Sequence, residues 1–140
     1  MFIGSYRYAL DSKNRVSVPA KLREELGSDL VLVRDIRQHC LRVYTPEQWR
    51  ERVAEISKMP ARVADAALRK LNSSACELSA DTQGRILIPS SLLGLVNIKK
   101  DIVFVGFVNY AELWGAEEYD AYMGAEDFDS LKDTLEEFGF

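Results

Sequence analysis

The sequence predicts an α+β protein, mainly strand with short helices, built from two versions of one small unit. Three observations predict this. A nine-residue stretch recurs at an offset of 70: DSKNRVSVP, from Asp11 to Pro19, and DTQGRILIP, from Asp81 to Pro89. Around both copies, apolar and polar residues alternate over short runs, the period of a half-buried strand. Elsewhere, apolar residues fall at helical spacing in stretches that separate and follow the two units.

The self-alignment runs beyond the nine residues. Asp11 meets Asp81, Arg15 meets Arg85, Val16 and Val18 meet Ile86 and Ile88, and Pro19 meets Pro89. LVLV (Leu30 to Val33) matches IVFV (Ile102 to Val105) after a slip of two residues. LRVYTPEQW (Leu41 to Trp49) then matches AELWGAEEY (Ala111 to Tyr119) with the offset back at 70. Units of this size are too short to bury a full core alone, so the two are expected to share one. The expected organisation is a first repeat at 1–49, a linking helical pair at 50–75, a second repeat at 76–120 and an acidic C-terminal helix at 121–140.

Within the first unit, Tyr6 to Leu10 and Arg15 to Val18 read as strands flanking a short turn. Val16 and Val18 point one way, Arg15 and Ser17 the other. Pro19 ends that strand because it cannot donate to a ladder. AKLREEL, Ala20 to Leu26, gives a short helix stopped by Gly27. Leu30 to Arg34 and Cys40 to Tyr44 form a second strand pair. Thr45 then caps a helix, with Pro46 in its first turn and Gln48 placed to complete a capping box. Trp49, Val53 and Ile56 form its apolar stripe, and Pro60 interrupts it. A second helix carries Ala64, Ala67, Leu68 and Leu71 on one face. Phe128, Leu131, Leu135 and Phe138 mark a last helix, whose apolar face is expected to dock on the body or on a neighbouring subunit.

Composition narrows the function. The chain has 140 residues, 47% hydrophobic and 29% charged, as in soluble globular proteins. No apolar run approaches the ~18 residues of a membrane span, and the N-terminus lacks the pattern of a secretory signal, so no membrane partner is expected. Cys40 and Cys76 are isolated and His39 is the only histidine, so no metal site is expected. There is no nucleophile elbow and no phosphate loop, so neither an enzyme, a cofactor nor a small-molecule substrate is expected. The net charge of −4 hides an asymmetry. Residues 1–75 hold 14 Lys and Arg against 9 Asp and Glu, whereas residues 76–140 hold 4 against 13. An acidic average is therefore compatible with a basic first part that faces a polyanion.

The repeated turn is where such a contact would form. The Asp11 carboxylate is placed to accept backbone N–H groups two or more residues on, and Asp81 repeats it. Asn14 and Gly84 occupy the matching position and are residue types that tolerate a left-handed backbone. The product is a stiff loop that presents Lys13 and Arg15 at a fixed angle. The alternative is an Asp–Arg ion pair that only holds the turn, and the two readings are compatible if part of the guanidinium is used internally. Arg7, Lys13, Arg15, Lys21 and Arg23 lie near the first turn in sequence, whereas Arg85 has Glu77 and Asp81 close by. The first copy is therefore expected to do most of any anion binding.

The paired D-x-x-x-R turns, the strand–Pro–helix run DSKNRVSVPAKLREEL, the opening MFIGSYRY and the ELW of the second half resemble the MraZ family. The resemblance covers roughly residues 1 to 120. It implies two swapped-hairpin, SpoVT/AbrB-like units that form an intramolecular pseudo-dimer barrel. It also implies a cytoplasmic, nucleoid-associated transcriptional regulator that binds double-stranded DNA. The implied assembly is a ring-shaped homo-oligomer on tandem promoter repeats of the division and cell-wall gene cluster. By the same resemblance, Lys13, Arg15 and Arg85 face DNA, and Arg23 is the Arg of the helix that follows the first motif. Arg7 and Lys21 join them as nearby cations. The family usually has Gly where this chain has Asn14, and often a basic residue where it has Ile3. A second reading from the residues alone is a non-enzymatic protein–protein interaction scaffold that uses the same duplicated fold.

Overall fold

A computed structural model describes residues Met1–Phe140. The first half contains β1 (Ser5–Ala9), β2 (Arg15–Ser17), α1 (Ala20–Leu26), β3 (Asp29–Arg34), β4 (Cys40–Tyr44), α2 (Pro46–Ser57) and α3 (Ala61–Ser74). The second half repeats the order with β5 (Cys76–Ser79), β6 (Arg85–Leu87), α4 (Ser90–Leu95), β7 (Asp101–Phe107), β8 (Tyr110–Gly115), α5 (Ala116–Ala125) and α6 (Phe128–Glu137). Helix α4, which local pattern did not reveal, stands where α1 stands in the first half. The capping box forms as its spacing requires: Thr45 Oγ1 accepts from Gln48 N, and Gln48 Oε1 accepts from Thr45 N, both at 3.0 Å.

Strand pairing exchanges the halves. Six strands form one antiparallel sheet in the order β1–β7–β8–β4–β3–β5. The first strand of the first half thus lies beside β7 of the second, and β5 of the second lies beside β3 of the first. β2 and β6 leave the sheet and pair only with each other. The sheet does not close into the expected pseudo-dimer barrel. The sheet is open, with β1 and β5 as its edges. The Asp turns that follow these strands swing β2 and β6 off the sheet, so no strand remains to join the edges.

Alternation along the sheet strands explains the layers. Leu30, Leu32, Leu41, Val43, Ile102, Phe104, Ala111 and Leu113 point inward. They meet Val16, Val18, Ile86 and Ile88 of the two-stranded ribbon, with Leu22 and Leu26 of α1 and Leu92 and Leu93 of α4. This cluster of 20 buried residues is the shared core that neither half could make alone. The residues between point outward. Val31, Val33 and Tyr44 pack under α2 and α3 through Trp49 and Leu71. Cys40, Val103 and Trp114 pack under α5 through Ala116 and Tyr119. The outer face is therefore covered by α2–α3 over one half and by α5 over the other, while α6 covers nothing. Every residue from 121 to 140 is exposed.

Candidate nucleic-acid interface

The two Asp turns are nearly superposable in their bonding. In the first, Asp11 Oδ1 accepts from the backbone N–H groups of Lys13 and Arg15, each at 2.9 Å, and Oδ2 accepts from Arg15 Nε at 2.8 Å. In the second, Asp81 Oδ1 accepts from Gln83 and Arg85, and Oδ2 accepts from Arg85 Nε, all at 2.9 Å. The bonds from the Arg15 and Arg85 backbone N–H groups lead in holding the two carboxyls below the usual carboxylate range. Asn14 (φ 59°) and Gly84 (φ 78°) both adopt the left-handed backbone that closes the turn.

The turns are joined to each other as well as alike. β2 and β6 run antiparallel, with Val16 opposite Ile86, Arg15 opposite Leu87 and Ser17 opposite Arg85. Reciprocal bonds extend the ribbon at both ends: Val18 N donates to Gly84 O, and Ile88 N donates to Asn14 O, both at 2.9 Å. Val16 and Ile86 are buried, so the alternate residues Arg15, Ser17, Arg85 and Leu87 share the outer face. On that face Arg15 and Arg85 are diagonal neighbours, with Cα atoms about 7–8 Å apart. Each uses only Nε within its turn, which leaves both terminal amino groups of each guanidinium without an internal partner.

The remaining cations fall differently from their sequence positions. Arg23, on α1 of the first half, crosses to the second turn, where Nη1 donates to Gln83 O at 3.3 Å. A Cβ at position 84 would meet this guanidinium, the mobile end of a long side chain, so a larger residue there would push Arg23 aside, and the positive φ is the stronger reason for glycine. At the repeat offset Arg23 corresponds to Leu93, a buried residue with no donor. Lys13 and Lys21 are exposed and form no ion pair. Arg7 is committed elsewhere: Nη2 binds Asp120 of α5 at 2.6 Å, and the guanidinium lies over the Tyr119 ring. The first turn thus has Lys13 and Arg15, and the second has Arg85 and Arg23. The cationic character that sequence proximity gives to one turn is divided between the two. Only the strand exchange could have revealed this, and no local pattern encodes it.

One buried polar group lies apart, on the outer face of the sheet. Asp35, Cys40 and Glu112 bring ligand-type atoms within 4.8 Å of one another. Burial alone would raise the Asp35 carboxyl, but bonds from the backbone of Gln38, from Arg42 Nε at 2.6 Å and from the backbone of Arg37 outweigh it and hold it low. Glu112 accepts from Trp114 Nε1 at 3.0 Å and from the Cys40 thiol at 3.8 Å. Burial pushes the Cys40 thiol up, so it remains protonated. Protein donors already occupy the oxygens a cation would need, and the cluster reads as a structural polar knot.

Comparison with known proteins accounts for the doubled turn. The family model described as "MraZ protein, putative antitoxin-like" matches this chain twice, over residues 1–72 and 71–139. The chain belongs to the MraZ family. Among its relatives, the transcriptional regulator MraZ of Clostridium tetani is 39% identical over 142 residues, covering 99% of each chain. Those of Caldanaerobacter subterraneus and Halothermothrix orenii are 37% and 34% identical, again over 99% of each chain. MraZ is a family of transcriptional regulators, not of enzymes. No helix of this MraZ chain is long and apolar enough to cross a membrane.

Proposed function

We propose that this MraZ protein regulates transcription by binding double-stranded DNA sequence-specifically through the exposed face of the β2–β6 ribbon and its two turns. The observation that carries this is the pairing of Arg15 and Arg85. Each is braced by its own Asp through Nε, with its terminal amino groups free, and both stand on one two-stranded ribbon. The major groove admits such a ribbon, and an Arg held by Nε can still offer its outer edge to guanine O6 and N7 or to a phosphate. Bracing removes side-chain freedom before binding, so less entropy is lost on contact. Lys13, Arg23 and Lys21 are suited to phosphates beside the ribbon. Arg7, held by Asp120, stands as a more peripheral contact that must first leave its ion pair. In this reading Asp11, Asn14, Asp81 and Gly84 are the frame of the contact, and the exchanged halves act as an intramolecular pseudo-dimer.

The finer reading follows from the same few cations. One chain offers about five, which is modest for tight binding at cellular salt. A homo-oligomeric ring would repeat the ribbon and engage tandem promoter repeats through high effective concentration. The family's association with the division and cell-wall gene cluster makes the DNA upstream of that cluster the natural target, with a cytoplasmic, nucleoid-associated location. Fluorescence anisotropy with that DNA against a shuffled duplex, over a salt series, tests the reading. Affinity is expected to prefer the promoter, to fall steeply with salt, and to drop at least tenfold in folded Arg15→Ala and Arg85→Ala proteins. Promoter binding unchanged in the double variant would overturn it.

A further inference from the structure

We infer that the acidic C-terminal helix α6 of one copy docks into a cationic, apolar-floored groove between the sheet and the α2–α3 pair of a second copy. The inference rests on the oligomer proposed above and specifies the two surfaces that build it. The groove has a volume of about 910 Å³ and opens beside the β3–β4 loop. Its floor is apolar, with Val33, Tyr44, Trp49 and Leu71. Ile36 and Met59 line it with 74% and 47% of their surfaces exposed, an unusual outlay for large apolar residues. Arg34, Arg37, Arg52 and Lys70 surround it without forming any ion pair, and no acidic residue lines it.

Helix α6 is the complement in both respects. Phe128, Leu131, Leu135 and Phe138 fall at i, i+3, i+7 and i+10, one stripe of the helix, and all four are exposed. Asp129, Asp133, Glu136 and Glu137 share the helix with a single Lys132. A helix of 10 residues with none of them buried is marginal in water, so this one needs a partner to persist. The first half shows what such a partner looks like. There α3, which follows α2 as α6 follows α5, folds back so that Ala64 is buried and Leu71 packs on the sheet. The second half leaves its counterpart extended. Helix α5 holds the other side of the outer face through Trp114 and Arg7, and α6 continues from its far end with every residue exposed. The occupant is therefore another copy. The contact joins two different surfaces, so each copy both gives a helix and receives one, and repetition yields a closed ring or an open chain.

Two variants, each made in the full chain, test this by size-exclusion chromatography with light scattering. The tail variant is Leu131→Asp with Leu135→Asp; the groove variant is Arg52→Glu with Lys70→Glu. All four positions lie outside the buried core, and circular dichroism checks that each variant is folded. Wild type is expected at several times the 15.9 kDa of one chain. Each variant alone is expected at one chain mass. An equimolar mixture is expected at twice that mass and no higher. In the mixture one intact helix meets one intact groove, and recovery of that single contact also shows both variants to be folded. A wild-type monomer would overturn the oligomer itself. An oligomeric wild type whose variants assemble unchanged would overturn only the placement of the interface. Variants that are monomeric both alone and mixed would overturn the pairing of these two surfaces.

Discussion

The inner and outer faces of the sheet tell different histories of the same duplication. On the inner side the two halves remain close copies. Their Asp turns make the same three bonds, their ribbons pair about Val16 and Ile86, and their reciprocal backbone bonds have equal lengths. On the outer side they have parted. Arg42 and Glu112 hold the same place in the repeat and sit opposite each other in the β4–β8 ladder, yet one is basic and the other acidic. Both helices of the α2–α3 pair pack on the sheet, whereas only α5 of the α5–α6 pair does. Where the halves must fit each other, a change in one has to be matched in the other, and the copies stay alike. Where each faces something else, nothing couples them.

The largest expected effect breaks the outer face. Arg42 binds the buried Asp35 through Nε at 2.6 Å, donates to the Tyr44 hydroxyl at 3.1 Å and stacks over the Tyr110 ring at 4.5 Å. Arg42→Ala leaves Asp35 charged and buried without its counter-ion, so a loss of about 3 kcal/mol is expected in urea unfolding. A loss under about 1 kcal/mol would mean that the backbone bonds from Arg37 and Gln38 suffice.

Next come the inner turns. Asp11→Ala and Asp81→Ala are expected to lower the thermal midpoint by equal amounts, smaller than for Arg42→Ala, because each loses the same three bonds. Unequal losses would show that the turns are alike in shape only. Their lowered carboxyl pKa values also fix a pH dependence. Both groups sit below the unfolded value near 3.9, so their contribution is complete above about pH 4 and fades as acid protonates the folded form. An Asp11→Asn, Asp81→Asn double variant is expected to lose that part of the acid slope.

One difference between the turns, Asn14 against Gly84, can be exchanged. Asn14→Gly changes stability by under about 1 kcal/mol, since both residues accept the left-handed backbone. Gly84→Asn is expected to cost more and to displace Arg23, read as weaker DNA binding in the anisotropy assay. Equal stability and affinity in both swaps would remove Arg23 from the second turn. The smallest effect concerns Glu112, whose carboxyl burial raises above the usual range. Its folded form binds protons more readily than its unfolded form, so it disfavours folding as pH rises past about 4.3. Glu112→Gln keeps an acceptor for Trp114 and is expected to raise the thermal midpoint slightly at pH 7, with the gain vanishing in acid.

Much of this was legible in the sequence where the cause is local. The Thr45 capping box, the Pro19 strand stop, the Gly27 helix stop and the left-handed Asn14 and Gly84 each follow from residues a few positions apart. Alternation places β1 at Tyr6 to Leu10, yet it runs from Ser5 to Ala9, because its start depends on the register with Val105 rather than on its own pattern. Helix α4 escaped because SSLLGL is short and contains a glycine, and core contacts through Leu92 and Leu93 hold it. The sites of Arg7 and Arg23 were not legible, since both answer to residues far away in the chain: Asp120 in one case and Gln83 in the other. The open sheet was equally hidden, because alternation says which face a residue takes and not which strand lies beside it.

The exchange of strands also sets a schedule for synthesis. β1 ends at Ala9, but its hydrogen-bonding partner begins at Asp101. At translation rates of about 5–20 residues per second, the first strand waits roughly 5–20 s for that partner to be made. During the wait β2 also lacks β6, so the Val16 and Val18 side of the nascent ribbon has nothing to cover it. The β3–β4 and β7–β8 hairpins can form early, but the pairings that close the core, β1–β7, β2–β6 and β4–β8, each span about half of the chain or more. The nascent chain must therefore stay unpaired with its neighbours on the same message until nearly all of it has emerged. The polar surface of the first turn, with Asp11, Ser12 and Lys13 exposed beside that unpaired strand, is suited to keep it solvated meanwhile.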